Sequence, residues 1–378
     1  MATLNVQPAT FSARKLQETF FQRVPADLRY VNSRYNSYLP VNSLGDGSVD
    51  RITFNLPSFS SATFYDMSSL LVEMTVKIVD ENGNIPAKSV RIANICGASS
   101  FFSDVKIYLN DVLINPNSGL HHFKSYLKTL LSFSKEYKSS VLGLEGYGED
   151  TAGKMQAVHE ENQGFTQRLK DYAKLNGVDD SIISYNSEGA HYLFNLNPDL
   201  QSSILNGISI RLELTPNDPK VCLFGKKVIK KKVDDGAGGA TYADTYEKLS
   251  NYKFLIKNIV LHALCHDLRG EAYEEIQSNL KKEPASLSFR RFDMLPYIIS
   301  KGVDSYISDV LFPSSQMVPS RAFFFLVPSE HFTGDLSANP FDFQLKVSDA
   351  NIKRFFITLG GQEVYNKINA NNLEQSLK

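Results

Sequence analysis

The stretch Phe101 to Ser134, FFSDVKIYLNDVLINPNSGLHHFKSYLKTLLSFS, changes its hydrophobic period part-way along, and this limits what the chain can fold into. Val105, Ile107 and Leu109 alternate with Lys106, Tyr108 and Asn110, the period of two that lays one face of a strand on a core. Asn110 and Asp111 tolerate left-handed backbone, so they predict a two-residue hairpin with Val112 to Ile114 as the return strand. Beyond Pro116 and Ser118 the period lengthens: Leu120, Phe123, Leu127, Leu130 and Leu131 share one stripe of a helix. A hairpin that runs directly into an amphipathic helix excludes a plain meander.

The remaining pattern is rich in strands. Residues 1–27 are polar, with a short helix predicted from Ser12 to Phe21, and read as an arm. Ile52, Phe54 and Leu56 alternate, as do Leu70, Val72, Met74, Val76 and Ile78, which Asp80 to Gly83 end in a turn. Residues 140–190, rich in Gly, Asp, Glu and Ser with a weak helical stretch near Phe165 to Leu175, read as an excursion outside the core. Strands are predicted at His191 to Leu196, Ile208 to Leu214 and Val221 to Phe224, then a loop from Gly225 to Thr245, then a strand at Tyr252 to Leu264. Arg269 to Lys281 favours helix, which Pro284 ends. A second strand set follows at Ser286 to Leu295, Tyr306 to Leu311, Arg321 to Val327, Phe341 to Val347 and Arg354 to Leu359, the last turning through Gly360 and Gly361 into Glu363 to Tyr365. Many short strands, long connections and few helices predict a mainly β chain of two antiparallel sandwiches.

At 378 residues the chain exceeds one ordinary core. Forty basic against 41 acidic side chains leave a formal charge of -1, so no global field draws it to nucleic acid or anionic lipid. Cys96, Cys222 and Cys265 cannot form a paired disulfide framework, and no Asn-x-Ser/Thr sequon occurs, which fits a reducing, non-secretory compartment. MATLNVQPATFSARK lacks the apolar core of a signal peptide, and no later apolar run approaches a membrane span.

Four features invite a chemical reading. GEDTAGKM at Gly148 to Met155 matches a phosphate-binding loop at Gly148, Gly153 and Lys154, but Met155 stands where Ser or Thr must hold magnesium. Glu149 and Asp150 stand where phosphates would sit, so a solvated loop is preferred. His262, Cys265 and His266 offer three metal donors where a structural site needs about four, and packing at a strand end is preferred. His121 and His122 are adjacent on a helix and cannot face one centre, while His191 sits on a strand without the spaced partner a cupin-like metal site needs. The basic run KKVIKKK, Lys226 to Lys232, is flanked by Asp234 and Asp235 and lacks interleaved aromatics, so it reads as a loop tip and not a nucleic-acid contact. No G-x-S-x-G, H-E-x-x-H, C-x-x-C or G-x-G-x-x-G occurs. The sequence therefore predicts no catalytic, cofactor or metal residues.

Several blocks in order complete the reading: FNLPSF at Phe54 to Phe59, SDVKIYLNDVLI at Ser103 to Ile114, YLKTLLSFSKE at Tyr126 to Glu136, DTAGK at Asp150 to Lys154, LNGISIRLELT at Leu205 to Thr215, NPFDFQ at Asn339 to Gln344 and LGGQEV at Leu359 to Val364. Together, over about residues 28–366, they resemble the double jelly-roll major capsid proteins of Polinton (Maverick) transposable elements and adintoviruses, themselves similar to virophage capsid proteins. The resemblance implies a first jelly roll over 28–265 with helical and loop insertions, then a connecting helix and a second, partial jelly roll over 266–378. It also implies a viral structural protein without enzymatic activity or cofactor, self-assembling as a homotrimer. Such trimers would be pseudo-hexagonal capsomers, tiling an icosahedral shell with neighbouring capsomers and a single jelly-roll penton protein. Neither a specific nucleic acid nor a transmembrane segment is implied, and the expected location is the virion, assembled in the nucleus or cytoplasm of a host cell. A jelly roll uses about eight strands, and only five or six follow Pro284, so the second roll is expected to be incomplete. The alternative is a domesticated jelly-roll binding module, lectin-like or host-interacting, that uses its loops at 140–190 and 225–245.

Overall fold

The computed structural model describes residues 30–42, 44, 50–114, 119–175, 183–196, 204–234, 240–284, 292, 294–300, 302–303, 306 and 323–343, with four two-residue strands beyond them. The strands, in order, are β1 (Tyr30–Tyr38), β2 (Ile52–Leu56), β3 (Thr63–Asp80), β4 (Val90–Asn94), β5 (Phe102–Leu109), β6 (Val112–Leu113), β7 (Ala173–Leu175), β8 (Ile183–Tyr185), β9 (Ala190–Asn195), β10 (Ile204–Leu205), β11 (Ile210–Pro216), β12 (Leu223–Asp234), β13 (Ala240–Glu247) and β14 (Tyr252–Leu268). Among the described residues the α-helices are α1 (His121–Ser132), α2 (Lys135–Ser140), α3 (Gln163–Tyr172), α4 (Pro219–Cys222), α5 (Gly270–Lys282) and α6 (Ser329–Thr333).

The pairing order identifies the architecture. One sheet runs β1-β14-β3-β10, with β9 pairing β3 further along the same strand; a second runs β2-β11-β5-β6. If β9 and β10 are taken as one interrupted strand, eight core strands pair first with last, second with seventh, third with sixth and fourth with fifth. All of these ladders are antiparallel. That nested order, closed by β14 on β3 and β11 on β5, is a jelly roll: a folded ribbon whose two halves become facing sheets. A third sheet, β13-β12-β4, is added beside it.

Strand alternation fills the space between the sheets. From one side come Leu70, Val72, Met74, Val76, Tyr192, Phe194, Leu261, Ala263 and Cys265; from the other Ile52, Phe54, Leu56, Val105, Ile107, Leu109, Ile210, Leu212 and Leu214, all in one buried cluster. Each large apolar side chain removed from water adds about 1.5–3 kcal/mol, so this interior is the main source of stability. The hairpin at its rim is the one the sequence predicts. Asn110 and Asp111 have φ of 46° and 63°, and the Asn110 Oδ1 accepts from the Ser209 backbone N–H at 2.9 Å, tying the turn to the start of β11.

Helix α1 has no side-chain N-cap, and its anchor is aromatic packing. Phe123 lies against Phe332 and Phe341 at ring-centroid distances of 5.9 and 5.4 Å, and Tyr126 stacks on Phe341 at 4.3 Å. The buried face holds His121, His122, Phe123 and Thr129, whereas Leu131 of the predicted stripe is exposed. The stripe is rotated because the aromatics of residues 323–343 arrive from one side.

Several sequence expectations are corrected. The described part of 140–190 is not an excursion outside the core: Leu142, Tyr147, Met155, Val158, Phe165, Leu169 and Tyr172 are buried in it. Polar composition hid them because only one side of each short segment faces inward. Of the loop expected at Gly225 to Thr245, 235–239 lie outside the described residues and the rest is strand, β12 pairing with β4 on one edge and β13 on the other. Lys226 and Lys227 pair with β4 and Lys227 to Lys232 with β13, so the backbone of the run is held in ladders that a charge run does not reveal. The strand expected at Val221 to Phe224 begins as the helical turn α4, with Asp218 accepting from the Lys220 N–H and Pro219 at its first position, and extends only from Leu223.

Of the second strand set, 286–291 and 307–311 lie outside the described residues, as do the arm with its short helix and 344–347. Residues 323–327 and Phe341 to Phe343 are not strands. Strands β15 (Arg354–Phe355) and β18 (Ile368–Asn369) pair antiparallel, and β16 (Thr358–Leu359) pairs β17 (Gln362–Glu363), the expected hairpin.

Replacing Asn110 by Val would place a β-branched side chain at positive φ and remove the acceptor for Ser209. The expected loss, about 1–3 kcal/mol, is measured as a lower urea midpoint at unchanged m-value.

Candidate functional site

The region richest in buried polar chemistry is the segment that mimics a phosphate loop. Gly148 to Met155 runs across the first turn of α3, where Gly148 and Gly164 touch. A Cβ on Gly148 would lie 2.6 Å from the Gly164 carbonyl oxygen, and one on Gly164 would lie 2.4 Å from the Glu149 carbonyl carbon. No cradle remains between loop and helix for a phosphate. The Thr151 N–H donates to the Asn162 Oδ1 at 3.2 Å and the Lys154 N–H to the Thr151 carbonyl at 2.9 Å, so these backbone donors are spent internally. Lys154 points outward to Glu161, 2.7 Å away.

What the loop does hold is a buried charge. Arg168 on α3, 1% exposed, donates from Nη2 to the Asp150 Oδ1 at 2.7 Å, from Nε to the Asn94 carbonyl at 2.9 Å, and from Nη1 to the Gly148 carbonyl. The other Asp150 oxygen accepts from the Asn339 Nδ2 at 3.0 Å, and that amide also donates to the Met155 carbonyl at 3.2 Å. Gln156 exchanges two bonds with the Asn339 backbone: its Oε1 accepts from the N–H at 3.0 Å, and its Nε2 donates to the carbonyl at 3.2 Å. The Gly225 N–H to the Leu336 carbonyl, 2.7 Å, and the Leu249 N–H to the Ser337 Oγ, 2.7 Å, continue the seam. Residues 335–342 are thereby pinned to the jelly roll by groups from four parts of the chain. The arrangement is a structural clamp: the Arg168, Asp150, Asn339 and Gln156 side chains bind one another and neighbouring backbone.

Burial shapes the ionisation around it. The Cys96 thiol is pushed up to about 12 by desolvation and stays inert. Asp171 rises to about 6 and Glu145 to about 7 for the same reason. The Glu145 Oε1 accepts from the Asn195 N–H at 3.3 Å, too little to offset desolvation. Lys226, within the basic run, donates to the Gln156 carbonyl at 2.8 Å, and its pKa is lowered by burial. It lines a cleft of about 310 Å³ with Lys154, His159, Tyr246 and Asp342, where Glu161 takes Lys154 and Asp342 supplies the opposite charge.

The strand-end trio does not converge. His262 and His266 project from the outer face of β14, while Cys265 projects into the core with no exposure. His262 bridges the Ser37 Oγ at 2.9 Å and the Glu73 Oε2 at 2.9 Å, and His266 pairs with the Ser33 Oγ at 2.8 Å. His191, on the outer face of β9, lies 3.5 Å from the other Glu73 oxygen. These rows cross β1, β14, β3 and β9 and stitch the outer face of one sheet. Their spacing is invisible in sequence because the partners are more than 100 residues apart. Among the described residues no three His, Cys, Asp or Glu side chains gather as a metal set, and no described helix is long and apolar enough to cross a membrane.

No protein-family model matches the chain. An uncharacterized protein of Caenorhabditis elegans, F54H12.2, is 24% identical over 321 residues, covering 80% of this chain and 66% of its own length. Solved structures with a similar chain include the Sputnik virophage by cryo-EM (12% identity, 71% of this chain, 54% of that one, TM-score 0.44), the PBCV-1 virus capsid (12%, 68%, 47%, 0.29) and the mavirus major capsid protein (9%, 71%, 50%, 0.30). The chain spans about half the length of these solved chains and just under two thirds of the nematode protein.

Two outcomes test the clamp. Arg168→Met leaves the Asp150 carboxylate buried without its cation and is expected to cost about 3–5 kcal/mol in denaturant unfolding, whereas Lys154→Ala leaves the midpoint unchanged. Glu145 binds its proton more tightly folded than unfolded, so its contribution is present below about pH 4.5 and is lost as pH rises through about 7. Glu145→Gln is therefore expected to raise stability at pH 8 by about 1–3 kcal/mol and to have little effect at pH 4, read by urea unfolding at both values.

Proposed function

We propose that this chain is a structural capsid protein, assembling as homotrimeric, pseudo-hexagonal capsomers of an icosahedral shell and residing in the virion. The observation that carries the reading is the jelly-roll pairing order with an interior filled entirely by side chains. Jelly rolls serve as shell proteins, lectins and cupin-type metalloenzymes. A cupin places its ligands inside the roll; here Phe54, Met74, Ile107, Leu212 and Phe194 occupy that space, and His191, His262 and His266 of the sheet face outward. The ordered sequence blocks that resemble Polinton and adintovirus capsid proteins select the shell reading over the lectin-like one. The insertions fit it as well: β12 pairs with β13 beside the sandwich, and Phe165, Leu169, Tyr172 and Ile183 from the inserted region pack into the core.

Assembly would proceed through sheet edges, loops and the material after α5, with further capsomers and a single jelly-roll penton protein as partners. Size-exclusion chromatography with light scattering, followed by negative-stain microscopy, tests the proposal. The expected result is a species of three times the 42.3 kDa chain mass, associating into larger arrays at high concentration. A strict monomer at every concentration, or specific glycan binding by that monomer, would overturn it.

A further inference from the structure

His122 occupies an unusual place. It lies on α1 at the seam with residues 323–343, is 4% exposed, and packs 4.5 Å from the Phe123 ring centroid and 6.4 Å from that of Phe341. Neither ring nitrogen has a hydrogen-bond partner. Buried imidazoles normally hold at least one partner, because an unpaired polar nitrogen in an apolar site loses its hydration without return. A neutral ring tolerates this site; an imidazolium, with two charged donors and nowhere to place them, does not.

We propose that the docking of residues 323–343 onto α1 is an acid-sensitive latch, released by protonation of His122. The surroundings offer no charge that would compensate. On α1 the nearby titratable groups are His121 and Tyr126, with Lys124 and Lys128 as the helix's charges, all of which are neutral or would repel an imidazolium. From the docked segment come His331 and Asp342, and Asp342 is engaged by Gln156 at 3.1 Å. Asp150 beneath is taken by Arg168 and Asn339. Burial accordingly holds His122 down to about 4, against an ordinary value of 6.5. Because the docked state favours the neutral ring, its stability is complete above pH 6.5 and falls progressively as pH drops towards 4. Between pH 7 and pH 4 docking weakens roughly 100-fold, the ratio set by the two ionisation constants. Release would open the Asn339 bonds to Asp150 and Gln156 and free the aromatic patch of Phe325, Phe332, Phe341 and Phe343, while leaving the β3–β14 interior closed. The latch is separate from the shell-building reading, since it rests only on the packing of α1.

Hydrogen–deuterium exchange of the full chain between pH 7 and pH 4, corrected for intrinsic rates, tests it. In the wild type, protection of 323–343 is expected to fall roughly 100-fold relative to β3 and β14, and His122→Phe is expected to keep it. Undiminished protection at pH 4, or the same loss in the variant, would overturn the proposal. If the variant fails to fold, ring-carbon NMR of the wild type still decides. One of the seven histidines titrating near pH 4 supports the latch, and seven ordinary titrations refute it.

Discussion

The antiparallel ladder between β3 and β14 is the constraint on which the rest depends. These strands, 18 and 17 residues long, run through the middle of one sheet and alternate buried with part-exposed residues from Leu70 to Ile78 and from Ile259 to Cys265. Once they pair, β1 can add only to the free edge of β14, and β9 with β10 only to that of β3. The second sheet must then cover the apolar face that remains, since leaving it in water would forfeit most of the burial energy. Two shifts in the ladder, between Ile256 and Asn258 and between Ala263 and Leu264, let strands this long follow the twist.

Around this apolar frame, polar groups fix position more than they add stability. The Arg168–Asp150 pair is fully desolvated, and such pairs offset their own dehydration only when each remaining donor and acceptor is used. Here the Asn94 and Gly148 carbonyls and the Asn339 amide complete the set. A small displacement of any contributor would strand a charge, so loop, helix, β4 and residues 335–342 adopt one mutual arrangement. The His–Glu–Ser rows on the outer sheet face are looser, partly exposed versions of the same device.

Much of the fold was legible. The period of two in Val105 to Leu109, the Asn110-Asp111 turn and the switch to a helical stripe all correspond to real elements, because each depends on contacts within a few residues. The mainly β, antiparallel sandwich character followed from strand number and spacing, and the jelly roll from the resemblance of the ordered blocks. What misled was local composition. The lysines of β12 look like a loop until β4 and β13 flank them, and 140–190 looks solvated until Phe165, Leu169 and Tyr172 are seen inside. GEDTAGKM resembled a phosphate loop through residue types alone; its actual partner, Asn339, lies 189 positions from Asp150.

The sequence by itself determined the strands, the tight turn, the amphipathic helix and the lack of a catalytic motif, since these are properties of short-range pattern and side-chain type. Only tertiary structure decided that Asp150 faces Arg168 and not a phosphate, that Cys265 and His266 point to opposite sides of one strand, and that His122 lies unpartnered beneath Phe341. The physical reason is the same throughout. A side chain's chemistry depends on which groups exclude water around it, and those groups come from parts of the chain that only the closed sandwich brings together.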